Sequence, residues 1–107
     1  MATHSNIGIK NSDGSVEMIY CHSDGYPDHQ LPILEKFYTT ENKVRELLAL
    51  GDISYLGGDI SNVIAYHRDY GEDLISAVKY PSLEIAQKDA YEYMYVFEDN
   101  CWKSWNN

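Results

Sequence analysis

The segments Ile19-Tyr20-Cys21-His22-Ser23-Asp24-Gly25-Tyr26 and Ile64-Ala65-Tyr66-His67-Arg68-Asp69-Tyr70-Gly71 each leave an apolar, aromatic run and deliver His-x-Asp beside a glycine and a tyrosine. Histidine with aspartate can move protons or ligate a metal, and tyrosine with arginine offers stacking area with a polar tip. A metal site would draw on Cys21, His22, Asp24, His29, His67 and Asp69. Adjacent residues of an extended run point to opposite faces, however, so Cys21 and His22 cannot share an ion, and no Cys-x-x-Cys or His-x-x-x-His spacing accompanies them. What is left is His22, Asp24 and His67 meeting across two strands. A thiol enzyme would pair Cys21 with His22 or His67, without any pattern that marks a lowered thiol pKa or an oxyanion hole. His67-Arg68-Asp69 repeats three letters of the protein-kinase catalytic loop, but neither a glycine-rich phosphate loop nor Asp-Phe-Gly is present.

Recognition is the other use of these residues. Asp24-Gly25 is ordinary turn chemistry, and Asp69 can cap its own turn. Turn chemistry does not explain why His22, Asp24, Tyr26, Tyr66, His67, Arg68, Asp69 and Tyr70 would gather if the two strands end on one sheet edge. Aromatic residues and arginine are the types enriched at binding hot spots. The expectation is a binding surface without catalytic residues or cofactor. Asp69, Glu72 and Asp73 form its acidic patch, and Tyr26, Tyr66 and Tyr70 are its anchors. The same groups would alternatively form a nucleotide-sequestering pocket, with Arg68 and the histidines on phosphate and tyrosines on the base. A metal- or thiol-dependent enzyme is a second alternative.

The elements that must carry this surface follow from periodicity. Residues 7–10 and 16–22 read as strands joined by Asn11-Ser12-Asp13-Gly14-Ser15, a hairpin. In the second strand Val16, Met18, Tyr20 and His22 share one face, and Glu17, Ile19 and Cys21 the other. A helix starts near Pro27 or Asp28, with Pro32 placed in its first turn. A second helix spans residues 41–50, capped by Thr39 or Thr40, striped by Val44, Leu47 and Leu48, and stopped at Gly51. Residues 52–62 read as a loop, with a helical turn at 53–56. Residues 63–67 read as a third strand. The 69–80 stretch is ambiguous between strand and connection. Ser82 caps a helix to Ala90, and residues 91–97 form a strand whose Tyr91, Tyr93, Tyr95 and Phe97 share a face that is core or contact platform. Residues 101–105 return as a last short strand. The order ββααβαββ defines a single α+β domain over residues 1–107, with a mainly antiparallel sheet and helices packed on one face.

A chain of 107 residues supports one core, and 44% hydrophobic residues with ten tyrosines is a globular composition. Seventeen acids oppose eight bases, a formal charge of −9. The excess is spread over both halves of the chain, which disfavours direct nucleic-acid binding and favours a partner with a basic surface. Two distant cysteines, the absence of a signal peptide and the absence of an apolar run near ~20 residues imply free thiols, a cytoplasmic location and no membrane contact. The terminal hairpin, with Trp102 and Trp105 nearby, offers an edge for homodimer pairing.

Specific stretches also resemble a known group. They are Ile7-Gly8-Ile9-Lys10-Asn11 with Asp13-Gly14-Ser15-Val16, the Ile19-Tyr20-Cys21-His22-Ser23-Asp24-Gly25-Tyr26-Pro27 run, Glu46-Leu47-Leu48-Ala49-Leu50-Gly51-Asp52-Ile53-Ser54, Ala65-Tyr66-His67-Arg68-Asp69, and Tyr93-Met94-Tyr95-Val96-Phe97-Glu98. Together they resemble a family of short acidic proteins encoded by tailed phages and prophages, with Cys-His-x-Asp-Gly-Tyr-Pro as the most specific element. The resemblance implies an accessory protein with a host-takeover or anti-defence role, anti-CRISPR inhibition being one concrete form. The expected partner is thus a host defence or nucleic-acid-handling protein, inhibited stoichiometrically in the host cytoplasm.

Overall fold

Two apolar faces on one strand decide the layering. The computed structural model of the chain describes residues 2–107. Strands β1 (Ser5–Lys10) and β2 (Val16–Cys21) form the expected antiparallel hairpin. In its turn the Asp13 carboxylate accepts the Ser15 N–H (2.9 Å) and hydroxyl (2.6 Å), and Gly14 takes φ +89°. Val16 and Met18 of β2 are buried on one side, and Ile19 and Cys21 on the other. Each side therefore needs cover.

Helices α1 (Pro27–Phe37) and α2 (Glu41–Leu48) cover the first side. Leu34, Tyr38, Val44 and Leu47 pack there on Ile7, Ile9, Ile19, Tyr95 and Phe97. Full burial of a Leu or Val side chain contributes about 1.5–3 kcal/mol, so this layer holds α2, which is too short to persist alone. Thr40 caps α2 by accepting the Lys43 N–H at 3.2 Å. Helix α4 (Leu83–Asp89), capped by Ser82 onto the Ile85 N–H, covers the opposite side with Ala86 against Val16, Met18, Met94 and Val96. The helices thus lie on both faces, not one, because β2 and the strand Tyr93–Glu98 carry apolar residues on both.

Among the described residues seven strands make one sheet, ordered β4-β3-β2-β1-β6-β7, with β5 beside β2. Strand β6 (Tyr93–Glu98) runs parallel to β1, and β7 (Cys101–Asn106) returns antiparallel through Asp99 and Asn100, both at positive φ. Strand β3 (Ile53–Tyr55) joins the end of β2 in parallel, β4 (Ile64–Ala65) lies antiparallel to β3, and β5 (Val78–Tyr80) pairs antiparallel with the start of β2. The domain is α+β, but two parallel pairings make its sheet mixed.

Local departures have local causes. Within the 53–56 stretch, Ile53–Tyr55 is strand rather than helical turn, because Ile53 pairs with both Cys21 and Ala65. The expected third strand stops at Ala65, and helix α3 (Tyr66–Tyr70) begins at once. Pro32 lies inside α1, beyond the first turn, and Pro27 takes the first helical position. Tyr95 and Phe97 are core and Tyr93 packs against it, whereas Tyr91 precedes the strand and is exposed. Core phenols keep hydrogen bonds: Tyr95 donates to the Gly25 carbonyl (2.7 Å) and Tyr38 to that of Gly57 (3.0 Å). The Trp102 indole donates to the Tyr38 carbonyl (2.8 Å).

Candidate functional site

A gap on the outer edge of β2 creates the site. Residues 16–18 of β2 pair with β5 and Cys21 pairs with β3, which leaves the Tyr20 N–H between two strands without a backbone acceptor on that edge. Asp52 fills the gap: its Oδ1 accepts the Tyr20 N–H at 3.0 Å. Its own N–H donates to the Ile75 carbonyl (3.0 Å) and its carbonyl accepts from Tyr66 N (3.4 Å). One residue thus ties β2, the start of α3 and the segment 71–77 together. Gly51 makes this docking feasible, since at φ +75° a Cβ there would sit 2.6 Å from the Ile75 carbonyl oxygen.

Around Asp52 opens a cavity of about 580 Å³ lined by Tyr20, Tyr66, His67, Gly71, Glu72, Asp73 and Ile75. That volume is in the range of small-molecule sites, roughly 300–1,000 Å³. Helix α3 ends at Gly71 (φ +70°), whose N–H donates to the His67 carbonyl at 3.1 Å while Glu72 N–H donates to that of Tyr66 at 3.1 Å. The His67 ring fixes the exit further, donating from Nδ1 to the Glu72 carbonyl at 2.7 Å. Burial pushes the Asp52 carboxyl above the usual aspartate range, against the lowering effect of the Tyr20 N–H. Burial, followed by the neighbouring Tyr91 and Tyr66, pushes the Tyr20 phenol up to about 12, so it stays protonated.

Tyr20 also belongs to a second cluster on the same face. The His22 carbonyl can only accept, so the His4 Nδ1–H donates to it (2.8 Å). The Tyr20 hydroxyl lies within hydrogen-bond distance of His22 Nδ1 (2.6 Å) and of His4 Nδ1 (3.0 Å). Tyr91 closes the group with its ring centroid 4.8 Å from that of Tyr20.

The two His-x-Asp stretches do not gather as a whole. They lie on strands separated by β3, and β2 and β4 run in opposite directions through the row Cys21–Ile53–Ala65. His22, Asp24 and Tyr26 therefore leave that row on one side, and Tyr66 through Asp73 on the other. Tyr26 packs by His29 instead, whose ring lies near that of Tyr55, and Asp24 takes φ +54° in the loop before α1. Tyr66, His67, Glu72 and Asp73 do come together at the cavity, and Tyr70 sits beside the Tyr66 ring, well exposed. His22 reaches the neighbourhood only through Tyr20.

Arg68 and Asp69 are structural. The guanidinium donates to the carbonyls of Ile60 (2.9 Å) and Val63 (2.5 Å) and to both oxygens of Asp69. Asp69 in turn accepts the Ala65 N–H at 2.7 Å, and its carboxyl is held below the usual range by Arg68 and then by that N–H. The pair splices the 3₁₀ turn Ile60–Asn62, β4 and α3, and the arginine does not line the cavity. Sequence inspection missed Tyr20, Asp52, Ile75, His4 and Tyr91. Asp52 follows Gly51 at a helix end, where an aspartate reads as a turn residue, so no local signal distinguishes it.

Cys21 is wholly buried, receives a hydrogen bond from the Gln30 amide (3.0 Å), and has its thiol pushed up to about 11 by burial. This is the opposite of an activated nucleophile. Among the described residues no three His, Cys, Asp or Glu side chains converge as metal ligands. A second hollow of about 600 Å³ lies between the two turn tips, but its Glu98 is already paired with Lys10 (2.8 Å) and Lys103 (2.9 Å). Asp52, Glu72 and Asp73 have no such partner in the described chain, whose ion pairs all lie elsewhere. Among the described residues no helix is long and apolar enough to cross a membrane. Neither protein-family models, nor curated proteins, nor solved structures match this chain.

Proposed function

We propose that this chain is a non-catalytic binding protein that occupies a basic surface of a protein partner. The supporting observation is a single patch that joins unneutralised acids to exposed apolar groups. Asp52, Glu72 and Asp73 border the cavity, and Tyr70, Leu74, Ile75 and Val78, all near half exposed, flank it along segment 70–78. Exposed apolar groups beside like-signed charge suit a partner that brings cations and its own apolar surface. The resemblance to short acidic phage proteins directs the choice of partner to bacterial defence and nucleic-acid-handling proteins, whose cationic faces hold DNA or RNA. Stoichiometric inhibition, anti-CRISPR-like in form, is the activity this reading assigns. A nucleotide-sequestering pocket is the weaker reading, since Arg68 is spent on carbonyls and Asp69, and the cavity is lined by acids that repel phosphate.

The test has two stages. The tagged chain captures its partner from host lysate, and the purified partner is then titrated on its own nucleic acid with increasing amounts of this chain. Displacement should saturate near one chain per partner and weaken with added salt. Glu72→Lys with Asp73→Lys should weaken inhibition at least tenfold. Unchanged inhibition by that variant would show that the patch is misplaced.

A further inference from the structure

We infer that the cavity over Asp52 receives one arginine side chain of a protein partner. This inference rests on the proposed binding role and assigns the chemistry of its centre. Three observations meet here. The cavity walls include two tyrosines, Tyr20 and Tyr66, whose ring faces attract a cation and on which a planar guanidinium stacks. The Asp52 carboxylate is partly desolvated, uses one oxygen on the Tyr20 N–H, and has no partner for the other among the described residues. Glu72 and Asp73 stand at the same cavity, and no lysine or arginine of the described chain lines it.

Charge and shape select the occupant. A partly buried carboxylate without a counter-ion costs free energy that an entering cation offsets. The guanidinium carries five N–H donors in a plane, so it can serve the free Asp52 oxygen and a second carboxylate while lying against a tyrosine ring. A lysine ammonium is a more strongly hydrated point charge and lacks the plane, so it should bind less well. The apolar residues Ile75 and Leu74 beside the mouth suit the aliphatic stem of the same side chain.

The experiment uses the intact chain and small probes. N-acetyl-arginine methylamide is titrated into isotopically labelled protein and followed by amide NMR, alongside the lysine analogue and the citrulline analogue, a neutral isostere of arginine. Expected are saturable shifts centred on Asp52, Tyr66, Gly71 and Glu72, with the arginine probe in the millimolar range, the lysine probe several-fold weaker, and no saturation with citrulline. Asp52→Asn should weaken the arginine probe at least tenfold with the amide spectrum otherwise preserved. Glu72→Gln, on the surface, should weaken it several-fold and serves if the first variant perturbs the fold. Equal binding of citrulline and arginine, or saturable shifts elsewhere only, would overturn the assignment. The two readings separate cleanly. Arginine binding without any protein partner would sink the inhibitory role and keep the site, and a partner whose affinity survives Asp52→Asn and Glu72→Gln unchanged would keep the role and sink the site.

Discussion

Replacing Asp52 by asparagine and by alanine should move stability in different directions. In both variants the backbone bonds of residue 52 to Ile75 and Tyr66 are retained, so the comparison isolates the side chain. Asparagine keeps an oxygen for the Tyr20 N–H and removes a charge whose burial is unfavourable. Alanine leaves that N–H unpaired between β3 and β5. A buried amide without an acceptor costs about 1–3 kcal/mol, and access from the cavity favours the lower half of that range, about 1.5 kcal/mol. With a urea slope of about 1–2 kcal/mol per M for a domain of this size, the midpoint for Asp52→Ala should fall by roughly 1 M. The midpoint for Asp52→Asn should equal or exceed that of the natural chain at pH 7.

The pH dependence carries the sign. A carboxyl whose folded pKa is raised binds more protons folded than unfolded between the ordinary value of 3.8 and the raised one. Stability from this group therefore falls as pH rises through that window and is level above it. The advantage of Asp52→Asn should be largest at neutral pH and fade toward and below 3.8. Urea curves at several pH values on all three proteins measure this directly. Equal losses for the asparagine and alanine variants would refute the proposed division between hydrogen bond and charge.

Other substitutions probe the frame of the site. Gly51→Ala should destabilise by about 2 kcal/mol, from positive φ and the clash with Ile75, and should expose segment 71–77 to proteolysis; a normal melting curve with unaltered digestion would contradict the docking described above. Arg68→Lys should lose about 1 kcal/mol, because the three donors on a single ammonium nitrogen cannot replace the four hydrogen bonds that the guanidinium makes from three nitrogens, whereas a phosphate-binding arginine would be replaced without thermal loss. Native protein should take up one thiol reagent, at exposed Cys101, with Cys21 reacting only on unfolding; rapid modification of both would contradict a buried thiol raised to about 11.

Much of the frame is encoded within a few residues of itself. Asp13-Gly14 specifies the first turn, Thr40 and Ser82 start their helices, and Gly51 stops the second one, because caps and turns are satisfied by neighbours along the chain. The alternation of β2 separates Tyr20 from Ile19 and Cys21 onto opposite faces. The spread of acids over the chain, and with it the formal charge of −9, follows from composition alone.

Tertiary structure decided what those elements do together. Strand pairing joins residues far apart in sequence, and nothing in the local pattern says that β6 runs parallel to β1 or that β3 intervenes between β2 and β4. That insertion sends the two His-x-Asp stretches in opposite directions from a shared row, so the repeated motif divides instead of forming one site. It also turns Arg68 from a candidate ligand-binding group into a splint, and raises Asp52 from a turn residue to the centre of the cavity. A side chain's role depends on which backbone groups are left without partners beside it, and that is determined only when distant strands have paired.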